Sequence, residues 1–150
     1  MIKWKEEKVF DQNIEKVWSL FADKNIQKIM PKVEEHRLIE KQENEIGAKH
    51  LQTYKEGKRM ETYEVETLAY EDTEEKKHKQ ITFVIGKAFQ VNLQFTLLKL
   101  SDNQTRFIYG GFNEGINFVG RAMLKMGSAK SNMKVVNEFM ERVEAEALKL

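Results

Sequence analysis

From Ile2 to Phe10 the residues alternate, with Ile2, Trp4 and Glu6 set against Lys3, Lys5 and Glu7 before Val9 and Phe10 close the segment. A period of two predicts a half-buried strand. The period then changes. Ile14, Val17, Trp18 and Phe21 recur at i, i+3, i+4 and i+7, one face of a short helix, with Asp11 as its expected cap. Ile26, Ile29 and Met30 repeat that spacing and stop at Pro31, because proline disfavours helical backbone in the residue before it. From Lys32 to Asn113 alternation returns, broken by turn signals, and six strands are expected near 33–42, 47–55, 58–71, 78–85, 89–100 and 105–112. The clearest apolar faces are Ile81, Phe83 and Ile85, then Val91, Leu93, Phe95 and Leu97, then Phe107 and Tyr109.

The last segment carries the strongest pattern. Val119, Ala122, Met126, Ala129, Met133, Val136, Met140, Val143 and Ala147 follow one another at spacings of three and four, with Met123 and Phe139 beside the stripe. This predicts a long amphipathic helix with Lys134, Glu138, Arg142, Glu146 and Lys149 on its far side and Gly127-Ser128 as the cheapest place to bend. Such spacing also suits a coiled coil, but alanine and methionine hold positions where zippers use leucine and isoleucine, so packing on the chain's own sheet is the better reading. Met123, Met126 and Met133 then either line a cavity or fill an ordinary core. The fold class expected is α+β: a seven-stranded curved antiparallel sheet, two short helices after the first strand, and a long C-terminal helix packed across it.

Composition narrows the functions. A chain of 150 residues suits one domain spanning 1–150. A formal net charge of +1 gives no field to steer it toward nucleic acid or an anionic membrane. The absence of cysteine removes disulfides and thiolate chemistry and suits a reducing compartment. With no apolar run of signal-peptide or membrane-span length, a cytoplasmic location is expected.

Candidate chemistry centres on one hairpin. With Glu56-Gly57 at the middle of its loop, Tyr54 faces Arg59, Gln52 faces Glu61, His50 faces Tyr63 and Ala48 faces Val65. These side chains share one face. Turned inward, they form the sparse polar wall of a ligand pocket; slipped by one residue, all of them face solvent. His36, His50 and His78 stand apart in sequence without metal-ligand spacing, so no metal centre and no cofactor are expected. Gly110, Gly111 and Gly115 lack the context of a phosphate loop and are expected to relieve crowding where the last strand meets the helix. Lys76-Lys77-His78-Lys79 lies beside four acidic residues and is read as a solvated hairpin tip.

Several local motifs carry a resemblance: Val17-Trp18-Ser19-Leu20-Phe21-Ala22-Asp23 in the first helix, Pro31-Lys32-Val33, Gly47, Phe95, and Phe139-Met140-Glu141-Arg142-Val143-Glu144 near the C-terminus. With the order of elements, they make the chain resemble the START-like (SRPBCC) superfamily, the Bet v 1-like helix-grip fold, and within it the polyketide cyclase/dehydrase-like branch. The resemblance implies an apolar cavity between sheet and helix, and the expected partner is a lipid, quinone or polyketide-like molecule; nucleic acid and stable membrane insertion are not expected, and the chain is expected to be a monomer or weak homodimer. The ligand-binding residues expected are His50, Gln52, Arg59, Glu61, Tyr63, Phe83, Phe95, Tyr109, Met123, Met126 and Met133. Non-catalytic binding is the leading expectation. The alternatives are a cyclase or dehydratase, with Glu61 or His50 as acid or base and Arg59 or Tyr63 polarising a carbonyl, and a chaperone-associated interaction module.

Overall fold

The computed structural model describes residues 1–127 and 129–150. Strand β1 (Ile2–Phe10) is followed by α1 (Ile14–Ser19), a single 3₁₀ turn at Asp23–Asn25, and α2 (Ile26–Ile29). Six strands come next: β2 (Val33–Glu40), β3 (Lys49–Glu56), β4 (Arg59–Asp72), β5 (Lys76–Ile85), β6 (Phe89–Ser101) and β7 (Gln104–Gly115). The chain ends in α3 (Phe118–Met126) and α4 (Ala129–Leu148). All seven strands form one antiparallel sheet in the order β1-β7-β6-β5-β4-β3-β2. Consecutive hairpins build most of it, while α1 and α2 carry the chain from the β1 edge to the β2 edge. No helix among the described residues is long and apolar enough to cross a membrane.

Asn13, not Asp11, caps α1: its side chain accepts a hydrogen bond from the Glu15 amide at 2.9 Å, while Asp11 accepts one from Gln104 Nε2 at 3.0 Å. The hairpin between β3 and β4 also turns differently from the expectation. Gly57, with φ +63°, and Lys58 make a two-residue turn, so Glu56 faces Arg59, Tyr54 faces Glu61, Gln52 faces Tyr63 and His50 faces Val65. The register is displaced by two residues. Because side chains alternate with period two, that displacement changes each partner but leaves every residue on its expected face. The basic run is likewise corrected. Lys77 points to the inner face, is 3 % exposed, and holds Glu15 of α1 at 2.5 Å and Asp72 at 2.6 Å, so it fastens the first helix to the sheet.

The inner face is aromatic. Phe95, Phe107 and Tyr109 stand in adjacent rows of β6 and β7, and Phe139 of α4 seats on them at ring-centre distances of 5.9, 6.5 and 4.7 Å. Phe21 closes the same cluster from the segment after α1, 5.0 Å from Phe95. Val136, Met140, Val143 and Ala147 continue the buried stripe of α4.

The C-terminal stripe departs from the expectation in its first half. The helix breaks at Gly127, whose backbone is extended, and Ser128 of the expected bend lies outside the described residues. The buried position of α3 is Gly120, where an added Cβ would overlap the Ala88 carbonyl and crowd Gly115. Held through this glycine contact, α3 turns Val119, Met123 and Met126 to the surface, Met126 being 88 % exposed. Gly115 is thus required by the helix, as expected of this glycine group, but Gly111 is required by the Trp4 ring and the Asn92 carbonyl. Replacing Gly120 by alanine is expected to destabilise the protein by about 1–3 kcal/mol, the usual cost of overpacking. Gly127→Ala, where an added Cβ meets the Met123 and Leu124 carbonyl oxygens at an ordinary 3.7 Å and φ is −76°, is expected to be neutral or slightly stabilising. Thermal melts of the two variants check this, and equal losses would contradict it.

Candidate functional site

Between α4 and the β3–β5 side of the sheet lies a cavity of about 450 Å³. Its apolar wall is built from Ile29 and Val33 at the first crossover, Phe83 and Ile85 on β5, Tyr109 on β7 and Phe139 on α4. Its polar wall is the inner face of the β3–β4 hairpin: Gln52, Tyr54, Arg59, Glu61 and Tyr63. Arg142 and Glu138 of α4 and Lys32 complete the rim. Of the residues expected from sequence, Gln52, Arg59, Glu61, Tyr63, Phe83 and Tyr109 stand around this cavity. Phe95 is 2 % exposed within the aromatic core, and His50 lies deeper along β3. Met133 packs against the core, and Met123 and Met126 are on the surface, so the methionine wall expected from the helix stripe is not formed. The stripe fails there because it assumed one continuous helix, whereas the break at Gly127 separates α3 from the face that α4 buries.

Polar groups in the cavity hold one another. Gln52 Nε2 donates to the Tyr63 hydroxyl at 2.8 Å, and the Tyr63 ring stacks on Phe83 at 4.8 Å. Glu61 accepts the Gly86 amide at 2.5 Å and lies 3.8 Å from Arg59. At the mouth, Glu56 joins Lys32 and the Tyr54 hydroxyl, each at 3.2 Å. Burial pushes Tyr63 up to about 12 and raises Tyr109 still further. Neither phenol is an acid at neutral pH; both are hydrogen-bonding groups attached to an apolar ring.

Further along β3 the structure gathers residues that the sequence kept apart. His36 Nε2 lies 3.2 Å from Asp23 Oδ1, and His50 Nε2 lies 2.9 Å from Asp23 Oδ2. The two imidazoles stack at 4.5 Å with 15° between their planes, and His36 Nδ1 meets Gln52 Oε1 at 2.7 Å. Contacts from His36, then His50, hold the Asp23 carboxyl well below the usual carboxylate range. Beside the trio is a cleft of about 260 Å³ shared by Ser19, Glu45, Tyr70 and Lys79, where burial pushes the lysine amine down. The expectation that the histidines stand alone is therefore corrected for His36 and His50. Only His78 is separate, on the outer face against Thr96 at 2.7 Å. Asp23 and His36 gave no sequence signal because 13 residues and a change of element separate them. Tyr54 and Ile85, expected on inward strand faces, line the cavity, and Glu138 and Arg142, expected on the far side of the helix, stand at its rim.

The raised Tyr63 supplies a pH test. A phenol whose folded value lies above its ordinary value of roughly 10 contributes stability that is complete below pH ~10 and is lost as pH rises toward the folded value. Wild-type protein is therefore expected to lose stability more steeply than Tyr63→Phe above pH ~10. Denaturant melts of both at neutral and alkaline pH measure this, and parallel curves would show that the hydroxyl titrates normally.

No protein-family model and no curated protein matches the chain by sequence. Solved structures do match its fold. Ara h 8.0201 superposes with a TM-score of 0.69 at 13% identity, covering 99% of this chain and 98% of that one. Major latex-like protein 151 from Panax ginseng gives 0.66 at 13%, covering 97% of each chain. Norcoclaurine synthase from Thalictrum flavum, in complex with dopamine and hydroxybenzaldehyde, gives 0.63 at 10%, covering 98% of this chain and 86% of that one. The chain has the helix-grip fold of the START-like, Bet v 1-like proteins.

Proposed function

We propose that this protein binds a hydrophobic small molecule, ringed or chain-like and carrying a polar end, in the cavity between the sheet and α4. One observation carries the reading: a cavity of about 450 Å³ has an aromatic and aliphatic wall on one side and a short polar arc on the other. That size and that division of chemistry match small-molecule sites, where apolar contact supplies affinity and a few polar groups fix orientation. The ligand's apolar body would lie against Phe83, Ile85 and Phe139, and its polar end would meet Gln52, Tyr63 and the Arg59–Glu61 pair. The norcoclaurine synthase complex, on the same fold, supports a phenolic or similarly ringed ligand as one class to test.

Binding without chemistry is favoured over a cyclase or dehydratase. Glu61, one candidate acid or base of the enzymatic reading, is engaged by the Gly86 amide and Arg59, and His50, the other, is engaged by Asp23 away from the cavity.

Thermal stabilisation by a panel of fatty acids, quinones and phenolic ring compounds, together with mass spectrometry of whatever co-purifies, tests the reading. A ligand at about 100 times its Kd should add about 2.7 kcal/mol. For a chain of this size that is about 2–4 °C of Tm for each kcal/mol. Ile85→Trp, which places a larger ring in the cavity, is expected to abolish the shift while leaving the unliganded protein folded. No shift with any class, or an undiminished shift in Ile85→Trp, would reject the cavity as the binding site.

A further inference from the structure

We propose that Asp23, His36 and His50 form a mononuclear site for a divalent transition-metal ion of the zinc type, separate from the ligand cavity. Their donor atoms all lie within 4.8 Å of one another. An ion with nitrogen and oxygen ligands at about 2.0–2.2 Å in tetrahedral geometry spaces its donors by roughly 3.4 Å. His36 Nε2 lies 3.2 Å from Asp23 Oδ1 and His50 Nε2 2.9 Å from Asp23 Oδ2, so each imidazole already stands near that spacing from one carboxylate oxygen, and modest side-chain shifts bring the set onto one ion. Two imidazoles and one carboxylate favour zinc, cobalt or iron over magnesium or calcium, which prefer oxygen-only shells.

The orientation of the two rings points the same way. Both ring nitrogens of His36 face acceptors in this arrangement, Gln52 Oε1 at one end and Asp23 Oδ1 at the other. The His50 ring lies parallel to that of His36 at 4.5 Å, and its Nε2 approaches the same carboxylate. One metal ion serves both rings and the carboxylate together. Gln52 then acts as the outer partner that fixes the tautomer and orientation of His36, a recurrent arrangement at metal-bound histidines.

The surroundings suit such a site. The histidine side chains are 8 and 5 % exposed, held by β2 and β3, while Asp23 reaches them from the 3₁₀ turn at 45 % exposure. The adjoining cleft of about 260 Å³ leaves an open coordination position for water or a small anion, with Lys79 facing the same space.

The test uses the full chain, stripped with chelator and titrated with cobalt(II) chloride. One Co²⁺ per chain is expected, with visible ligand-field absorption that zinc chloride removes. Asp23→Asn and His36→Gln should each weaken binding by more than the roughly 10–100-fold lost when only an outer partner is removed. His78→Gln should bind as wild type. Imidazole ¹⁵N spectra of the wild-type protein, which need no variant to fold, should show Zn²⁺ moving Nε2 of His36 and His50 and leaving His78 in place. The proposal is overturned if millimolar metal produces neither absorption bands nor these shifts, or if both site variants bind like wild type.

Discussion

The seating of Phe139 on Phe95, Phe107 and Tyr109 is the contact on which the rest of the molecule depends. An antiparallel sheet built mostly from consecutive hairpins leaves one apolar face that must be covered, and α4 is the long element able to cover it. Aromatic rings are well suited to this contact, since each buries a large area and settles against its neighbours at tilted angles. Where α4 lies directly on β6 and β7 the space is filled. Toward β3 and β5 the sheet and helix do not meet across Phe83 and Ile85, and the cavity is what remains between them.

Inward-facing polar residues have two different fates. Lys77 is neutralised by Glu15 and Asp72 and becomes a structural tie between sheet and first helix. A buried charge of this kind is tolerated because it is fully paired, and losing one partner would cost far more than the pair contributes. The polar residues of β3 instead face unfilled space. Gln52 belongs to both regions: its amide nitrogen reaches Tyr63 in the cavity and its oxygen reaches His36 in the Asp23 cluster. One side chain thereby aligns a cavity phenol and a histidine pair, and the hydrogen bonds of either region constrain the other.

The sequence pattern alone determined the order of elements, the strand limits to within a few residues, and the inward apolar set of β5, β6 and β7, whereas a bulge after Thr67 turns Ala69 off the inward face and Lys77 of the expected solvated tip points inward. The former follow from local rules: a period of two fixes which side chains share a face, and Pro31 and Gly57 mark where the chain must stop or turn. The hairpin register was out by two, yet Gln52, Glu61 and Tyr63 still faced inward, because parity survives a two-residue shift. Tertiary structure alone decided the rest. Met123 and Met126 carry the same apolar spacing as Met140, but a break at Gly127 and the glycine contact at Gly120 place them on the surface. Asp23, His36 and His50 come from three different elements and converge because the crossover carrying the 3₁₀ turn lies against β2 and β3. Periodicity describes how one element presents its faces; it holds no information about which elements meet, so the cavity and the histidine cluster existed only once the chain had folded.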